Sequence, residues 1–359
     1  MKSLVKSTLE RGSISGRQMK QVVLDSKTEK AVIEKPELLH KYGIGMDSVL
    51  APTAGIPEQF AQTQLAGFVS TLTQKRSGSI LFGEVYQGSW SDVSVVQWAV
   101  ERTGAPQVYG DLANPSLTDY NTNAESRHVV RSEIGFTVTR LEEQRASKIG
   151  INAAATKRTA VGEALAIWQN DICFNGFDDG KNRTFGALND PNLSSFITVA
   201  EGAKGSTEWR DKTFQEIKND ILMAAESLRA LSGGRVDPDK DAICFAMSNS
   251  VRGYLAQATD FGVTVLQWIK DNYANWRVES AVEFNEVNGG ENIFYLFAET
   301  IADDDLSTDD KRTFAQIIPA KIQNLGMKME LKGQTEDFTN ATAGVICKRP
   351  FAVVRYSGV

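Results

Sequence analysis

Apolar positions recur every three or four residues in only a few stretches of the chain, and those stretches predict its helices. Val161, Leu165, Trp168 and Ile172 share one face of a segment over residues 152–174, while Lys157, Arg158, Glu163 and Gln169 occupy the others. Gly176 is placed to end it. At the rise of an α-helix this segment is a rod of roughly 35 Å, longer than usual in globular proteins. A second helix opens at Thr213-x-x-Glu216, a capping box in which hydroxyl and carboxylate each satisfy a free backbone N–H. Phe214, Ile217, Ile221, Ala224, Leu228 and Leu231 keep its apolar face continuous up to the stop at Gly233-Gly234. Shorter helices are predicted over 250–258 and 263–272.

Strands read differently. Ile80, Phe82, Val85, Tyr86, Val93, Val95 and Val96 make residues 79–100 β-branched and aromatic between glycines. Further strands are predicted over 242–247, 293–298, 317–323, 327–331 and 344–356, with Pro319 and Pro350 marking interruptions or edges. Between 102 and 131, Gly104, Pro106, Gly110, Pro115 and Asn121 break the chain into short pieces around Val108-Tyr109 and Leu117. That pattern suits a long two-stranded loop leaving the body, and a lone hairpin is marginal in water, so it is expected to rest on a partner. Residues 1–60 carry no sustained period and are punctuated by Gly12, Gly16, Pro36, Gly43, Gly45, Pro52, Gly55 and Pro57. They read as an arm that packs on a neighbouring molecule. The class is mixed α+β.

Composition changes this picture little: 42% hydrophobic and 23% charged residues describe an ordinary globular chain of 359 residues. Cys173, Cys244 and Cys347 lie far apart with no metal-ligand spacing, and read as buried reduced thiols. No apolar run is long enough to cross a bilayer and the amino terminus lacks a signal-peptide core, which leads to an expectation of a cytoplasmic chain with no membrane contact. Charge is uneven, since residues 1–45 hold nine Lys/Arg against five Asp/Glu within a chain of net -6. Such a basic start suits a solvated or subunit-facing arm, and secondarily a nucleic-acid contact.

Candidate chemistry is sparse. Only His40 and His128 are available as histidine general acids or bases, and no nucleophile elbow, phosphate loop, zinc-helix or dinucleotide motif occurs. Asp303, Asp304 and Asp305, with Asp309 and Asp310, could attract a hard cation, but without the spacing of a calcium loop they read as a solvated acidic turn. Glu142 and Glu143 beside Arg140 and Arg145 read as ion-pair partners whose mates lie on another subunit. No catalytic residue, metal or cofactor is expected.

The order of parts, namely arm, extended loop, long helix, separate α+β lobe and return to the first sheet, resembles the tailed-bacteriophage major capsid fold. Three stretches carry a closer likeness to a phage major capsid family: Trp168-Gln-Asn-Asp-Ile-Cys-Phe-Asn-Gly176, Phe185-Gly-Ala-Leu-Asn-Asp-Pro-Asn192, and Gly344-Val-Ile-Cys-Lys-Arg-Pro-Phe-Ala-Val-Val-Arg-Tyr-Ser-Gly358. The resemblance, over residues 60–359, implies an α+β fold with an N-terminal arm at 1–60 and a peripheral P domain over 61–101, 135–234 and 313–359 that holds the long spine helix. It also implies an E-loop at 102–134 and an axial A domain at 235–312.

It further implies a shell subunit that self-assembles as hexamers and pentamers in a virion, around double-stranded DNA touched non-specifically on the inner face. Assembly in a bacterial host cytoplasm, with scaffolding, portal and decoration proteins as possible partners, follows from the same likeness. The intersubunit contacts expected are Arg102, Tyr109, Asp111, Leu112, Arg127, Arg131, Arg140, Glu142, Glu143 and Arg145. No lysine occurs between Lys75 and Lys148, so the loop cannot supply the amine for the lysine–asparagine crosslinks that some relatives make. No charged helical segment precedes residue 60, from which a separate scaffold or none, and no removal of the amino terminus, are expected. Two alternatives stand beside the capsid reading: an encapsulin-like nanocompartment shell, and a metal-dependent hydrolase built on the 303–310 aspartates.

Overall fold

The computed structural model describes residues 77–359 except 110, 112–113, 115, 149, 260–261 and 302–306. The expected arm, His40, Leu112 and Asp303 to Asp305 lie outside the described residues, which all belong to one compact unit, Thr73–Val359.

A five-stranded sheet holds the larger core. Its strands are β7 (Ile197–Thr198), β15 (Val353–Ser357), β10 (Ile293–Ala298), β8 (Ile243–Ser248) and β9 (Trp276–Ala281), in that spatial order. β10 runs antiparallel to both of its neighbours, whereas β8 and β9 are parallel and joined through helix α5 (Val265–Asn272). Alternating side chains bury both faces. Phe245, Met247, Phe294, Leu296 and Val354 pack with Ile217, Ile221, Ala224 and Leu228 of helix α4 (Phe214–Leu231). Cys244, Ala246, Tyr295, Phe297 and Val353 face the other way, onto Phe174, Phe284 and Phe82. The five-stranded sheet thus draws two strands, and a helix packed on it, from outside residues 235–312.

The spine helix, α3 (Ala153–Asn175), forms where its periodicity placed it, with the Asn152 side chain accepting from the Ala155 N–H at 3.0 Å. Gly176 ends it at φ 71°, and a Cβ there would meet the Thr184 carbonyl at 2.5 Å. Val161 and Leu165 are buried, and the Leu165 carbonyl accepts from Asn340 Nδ2 at 3.2 Å. Its first half lies on an antiparallel sheet of β12 (Ala320–Glu330), β13 (Gly333–Thr342) and β4 (Val130–Thr139). Its last residues plug the aromatic face of the five-stranded sheet. The helix is therefore a rigid strut between two sheets.

Local strand propensity failed at residues 78–82. They form a short helix, α1 (Gly78–Phe82), because Phe82 is wedged among Phe174, Phe297 and Phe314 and Asn170 Oδ1 accepts from the Gly78 N–H at 2.9 Å. After it, β1 (Glu84–Val85) joins β11 (Phe314–Ile317) and β14 (Val345–Cys347) in a third, small sheet. Pro319 separates β11 from β12, and Pro350 opens a 3-10 turn between β14 and β15. The helix expected over 250–258 is a 3-10 turn at Arg252–Ala256, and strands β9 and β13 carry no separate sequence expectation. Helix α2 (Arg140–Lys148) buries none of its residues.

Candidate intersubunit surface

Two ten-residue strands, β2 (Ser94–Thr103) and β3 (Asp119–His128), pair antiparallel in a ribbon of their own. The paired region thus begins before residue 102 and ends before 134, because β4 turns away to join β13. Register sorts its side chains: Val96, Trp98 and Val100 lie on one face, with Ala124, Thr122 and Tyr120 on the same side through direct or adjacent pairing. Trp98 is 65% exposed, Val100 60% and Tyr120 65%, so nothing among the described residues covers that face. Gln97, Glu101, Asn121, Asn123 and Glu125 make the opposite face polar. At the tip, Val108, Tyr109 and Leu117 are almost wholly exposed. The alternation through 96, 98 and 100 was visible in the sequence, but its meaning as an uncovered stripe was not.

Among the expected contact residues, Arg102, Tyr109, Asp111, Arg140, Glu143 and Arg145 are exposed. Arg102 stands at the end of the apolar face, opposite Tyr120. Three others have partners within the chain. Arg127, only 2% exposed, is ion-paired with Asp190 at 2.8 Å and with Glu125. Arg131 donates to the Trp90 and Asp92 carbonyls at 2.6 Å each and covers the Trp90 ring. Glu142 pairs with Lys157 of α3 at 2.7 Å, and that bond holds its carboxyl below the usual range. Apart from Glu125, these mates come from other segments, and reading charges along the sequence could not detect them.

A second uncovered apolar row lies on edge strand β12 and the turn after it: Met327, Met329 and Leu331, at 54, 68 and 95% exposure. It adjoins the sheet face on which Arg158 of α3 meets Glu336.

Among the described residues the candidate chemical groups are buried or paired. Cys173, Cys244 and Cys347 are free and buried; burial pushes the Cys244 thiol up to about 12 and the other two up as well, away from nucleophilic thiolate. Asp309 and Asp310 are engaged by Lys348 at 3.4 and 2.6 Å, and Asp309 also by Arg349 at 2.8 Å. The Arg349 hydrogen bond takes the Asp309 carboxyl down to about 2. These two aspartates are ion-pair partners and not free cation ligands. Among the described residues no group of His, Cys, Asp or Glu could hold a metal, and no helix is long and apolar enough to cross a membrane.

Comparison with known proteins gives a consistent answer. The family model described as Pa193 gp26 major capsid protein matches residues 47–358. No curated protein matches. Among solved structures, the capsid of Myoviridae phage XM1 aligns over 86% of this chain and 100% of that one, at a TM-score of 0.67 and 16% identity. The capsid of a native GTA particle aligns over 86% and 99% (TM-score 0.57, 9% identity), and Mycobacterium phage Ogopogo over 83% and 97% (TM-score 0.53, 12% identity). At these identities the likeness shows the fold, which is that of tailed-phage capsid subunits.

Proposed function

The chain belongs to the Pa193 gp26 major capsid protein family, and from that premise we propose that its copies close a virion shell through non-covalent contacts made by the β2–β3 ribbon. The observation that carries this reading is the ribbon's bare face of Val96, Trp98, Val100 and Tyr120. Isolated monomers rarely leave such a stripe in water, and a hairpin without a packed face is marginal. A neighbouring copy supplies the missing surface, with Trp98 as the central anchor and Arg102 and Tyr109 toward the rim.

The ribbon corresponds to the E-loop, the sheet beneath α3 to the peripheral domain, and the five-stranded sheet to the axial domain around which hexamers and pentamers gather. Arg140, Glu143 and Arg145 on α2 offer exposed charges for a polar rim. The role is structural and non-catalytic, supported by buried thiols and paired aspartates. The shell encloses double-stranded DNA, assembles in the host cytoplasm, and admits scaffold, portal and decoration proteins as partners.

Expression of the chain, alone and with its scaffold, followed by electron microscopy, tests the reading. Closed shells are expected; small oligomers under every condition would overturn it. Mature particles boiled in SDS should release one band at the 39.4 kDa of the chain, since residues 76–147 hold no lysine for a crosslink. A covalent ladder would refute the non-covalent assignment.

A further inference from the structure

The ribbon is joined to the body through a buried ionic knot at its base. Arg127 of β3 reaches across to Asp190, whose side chain is 1% exposed, in the loop between β6 (Arg183–Thr184) and β7. Arg127 also meets Glu125, two residues nearer the tip on the same strand and the same face. Beneath them the guanidinium lies 5.0 Å from the centre of the Phe185 ring. Asn192 Nδ2 donates to Glu125 Oε2 at 2.8 Å, and its backbone N–H donates to Asp190 Oδ1 at 3.0 Å. The Cys347 N–H approaches Asp190 Oδ2 at 3.3 Å, tying β14 into the same cluster.

Charge at this knot is unbalanced: two carboxylates share one guanidinium in a site largely closed to water. Other ionisable groups packed nearby do not correct it. Arg183 lies over the same Phe185 ring at 4.6 Å but is exposed and paired with Asp178 at 3.5 Å. The Cys347 thiol is buried and pushed up, hence neutral. His128 adjoins Arg127 on β3, and its side chain points to the other face of the ribbon. Arg127 Nε finds no hydrogen-bond acceptor among the described residues. A buried cation with one unsatisfied donor and a surplus carboxylate is a joint held under electrostatic tension.

We propose that Arg127 is the positioning residue that sets the ribbon's angle to the body, and that Glu125 makes its grip depend on pH, tighter in acid than in mild alkali. Protonating Glu125 leaves Arg127 and Asp190 as a balanced pair, while ionising it restores the surplus charge. Burial pushes the Glu125 carboxyl above its ordinary value, with Asp190 adding to the rise and Arg127 opposing it. The sign follows: a carboxyl raised in the joined state stabilises the joint fully below its free value and loses that contribution as pH rises through the raised one. Any consequence for shell geometry rests on the ribbon being an intersubunit element; the joint itself does not.

Amide hydrogen exchange on the purified full chain, before assembly, tests this between about pH 5 and pH 8, with α4 as internal reference. Protection over residues 94–103 and 119–128 is expected to fall severalfold as pH rises, after correction for intrinsic exchange, while α4 stays level. Glu125→Gln should remove the step and hold protection at its acid value. Asn192→Ala, which removes a bond to the ionised carboxylate, should move the step to higher pH. Arg127→Lys should lower ribbon protection at every pH with α4 intact. A wild-type ribbon without a step, a step retained in Glu125→Gln, an unmoved step in Asn192→Ala, or unchanged protection in Arg127→Lys would each overturn the proposal. A pH step in a chain that never closes shells would sustain the joint and remove the intersubunit reading alone.

Discussion

The five-stranded sheet and the β2–β3 ribbon both carry apolar strand faces, yet one is finished and the other is not. In the sheet, every residue of β8, β10 and β15 is buried, since α4 and α5 cover one face and Phe174 at the end of α3, with Phe82 and Phe284, covers the other. In the ribbon, alternation along β2 yields a stripe of Val96, Trp98 and Val100 facing water. The difference teaches where folding ends and assembly begins. The sheet closes its hydrophobic ledger within the described residues, whereas the ribbon is tied to the body at its base and leaves an apolar face bare along its length, the face proposed to meet a neighbouring copy.

The strongest break of this comparison is Trp98→Ala combined with Val100→Asp. Removing an anchor worth about 2 kcal/mol or more per contact, repeated at every interface, should abolish closed shells under electron microscopy. The subunit should remain folded by circular dichroism. Phe294→Ala, in the covered sheet, should do the reverse kind of damage: a loss of about 3–5 kcal/mol in denaturant unfolding of the isolated subunit.

A smaller effect concerns acid. The Asp309 carboxyl, depressed by Arg349, contributes stability that is present above its ordinary value and fades as pH falls through about 2. Asp309→Asn should flatten that part of the acid-unfolding curve and leave the neutral range nearly parallel to wild type. The smallest effect sharpens the contrast most. Trp98→Ala alone should change the stability of the unassembled subunit by no more than about 0.5 kcal/mol, because its ring is largely exposed among the described residues. A large loss there would mean that the ribbon packs on its own body.

Much of the fold was legible because it rested on local chemistry. The capping box at Thr213 and Glu216 is present, with Glu216 accepting from the Thr213 N–H at 2.7 Å and its carboxyl drawn down to about 2. The spine helix starts at its Asn152 cap and stops at Gly176, both identifiable from residue type and periodicity. The 78–82 helix was illegible, since its conformation is imposed by a phenylalanine cluster assembled from residues far apart in the chain. Among the contact candidates, exposure separates Arg102, Tyr109 and Asp111 from Arg127. Nothing in the sequence around Arg127 reveals Asp190 as its mate, because ion pairing at that range is decided by packing.

By itself, the sequence determined the α+β class, the two long helices, the lysine-free loop and the scarcity of chemistry, all of which follow from short-range periodicity and residue type. Only the tertiary structure decided which apolar strand faces are covered and which are bare. It also decided which charges are spent inside the chain, since burial and pairing are properties of surfaces that meet only when distant segments fold together.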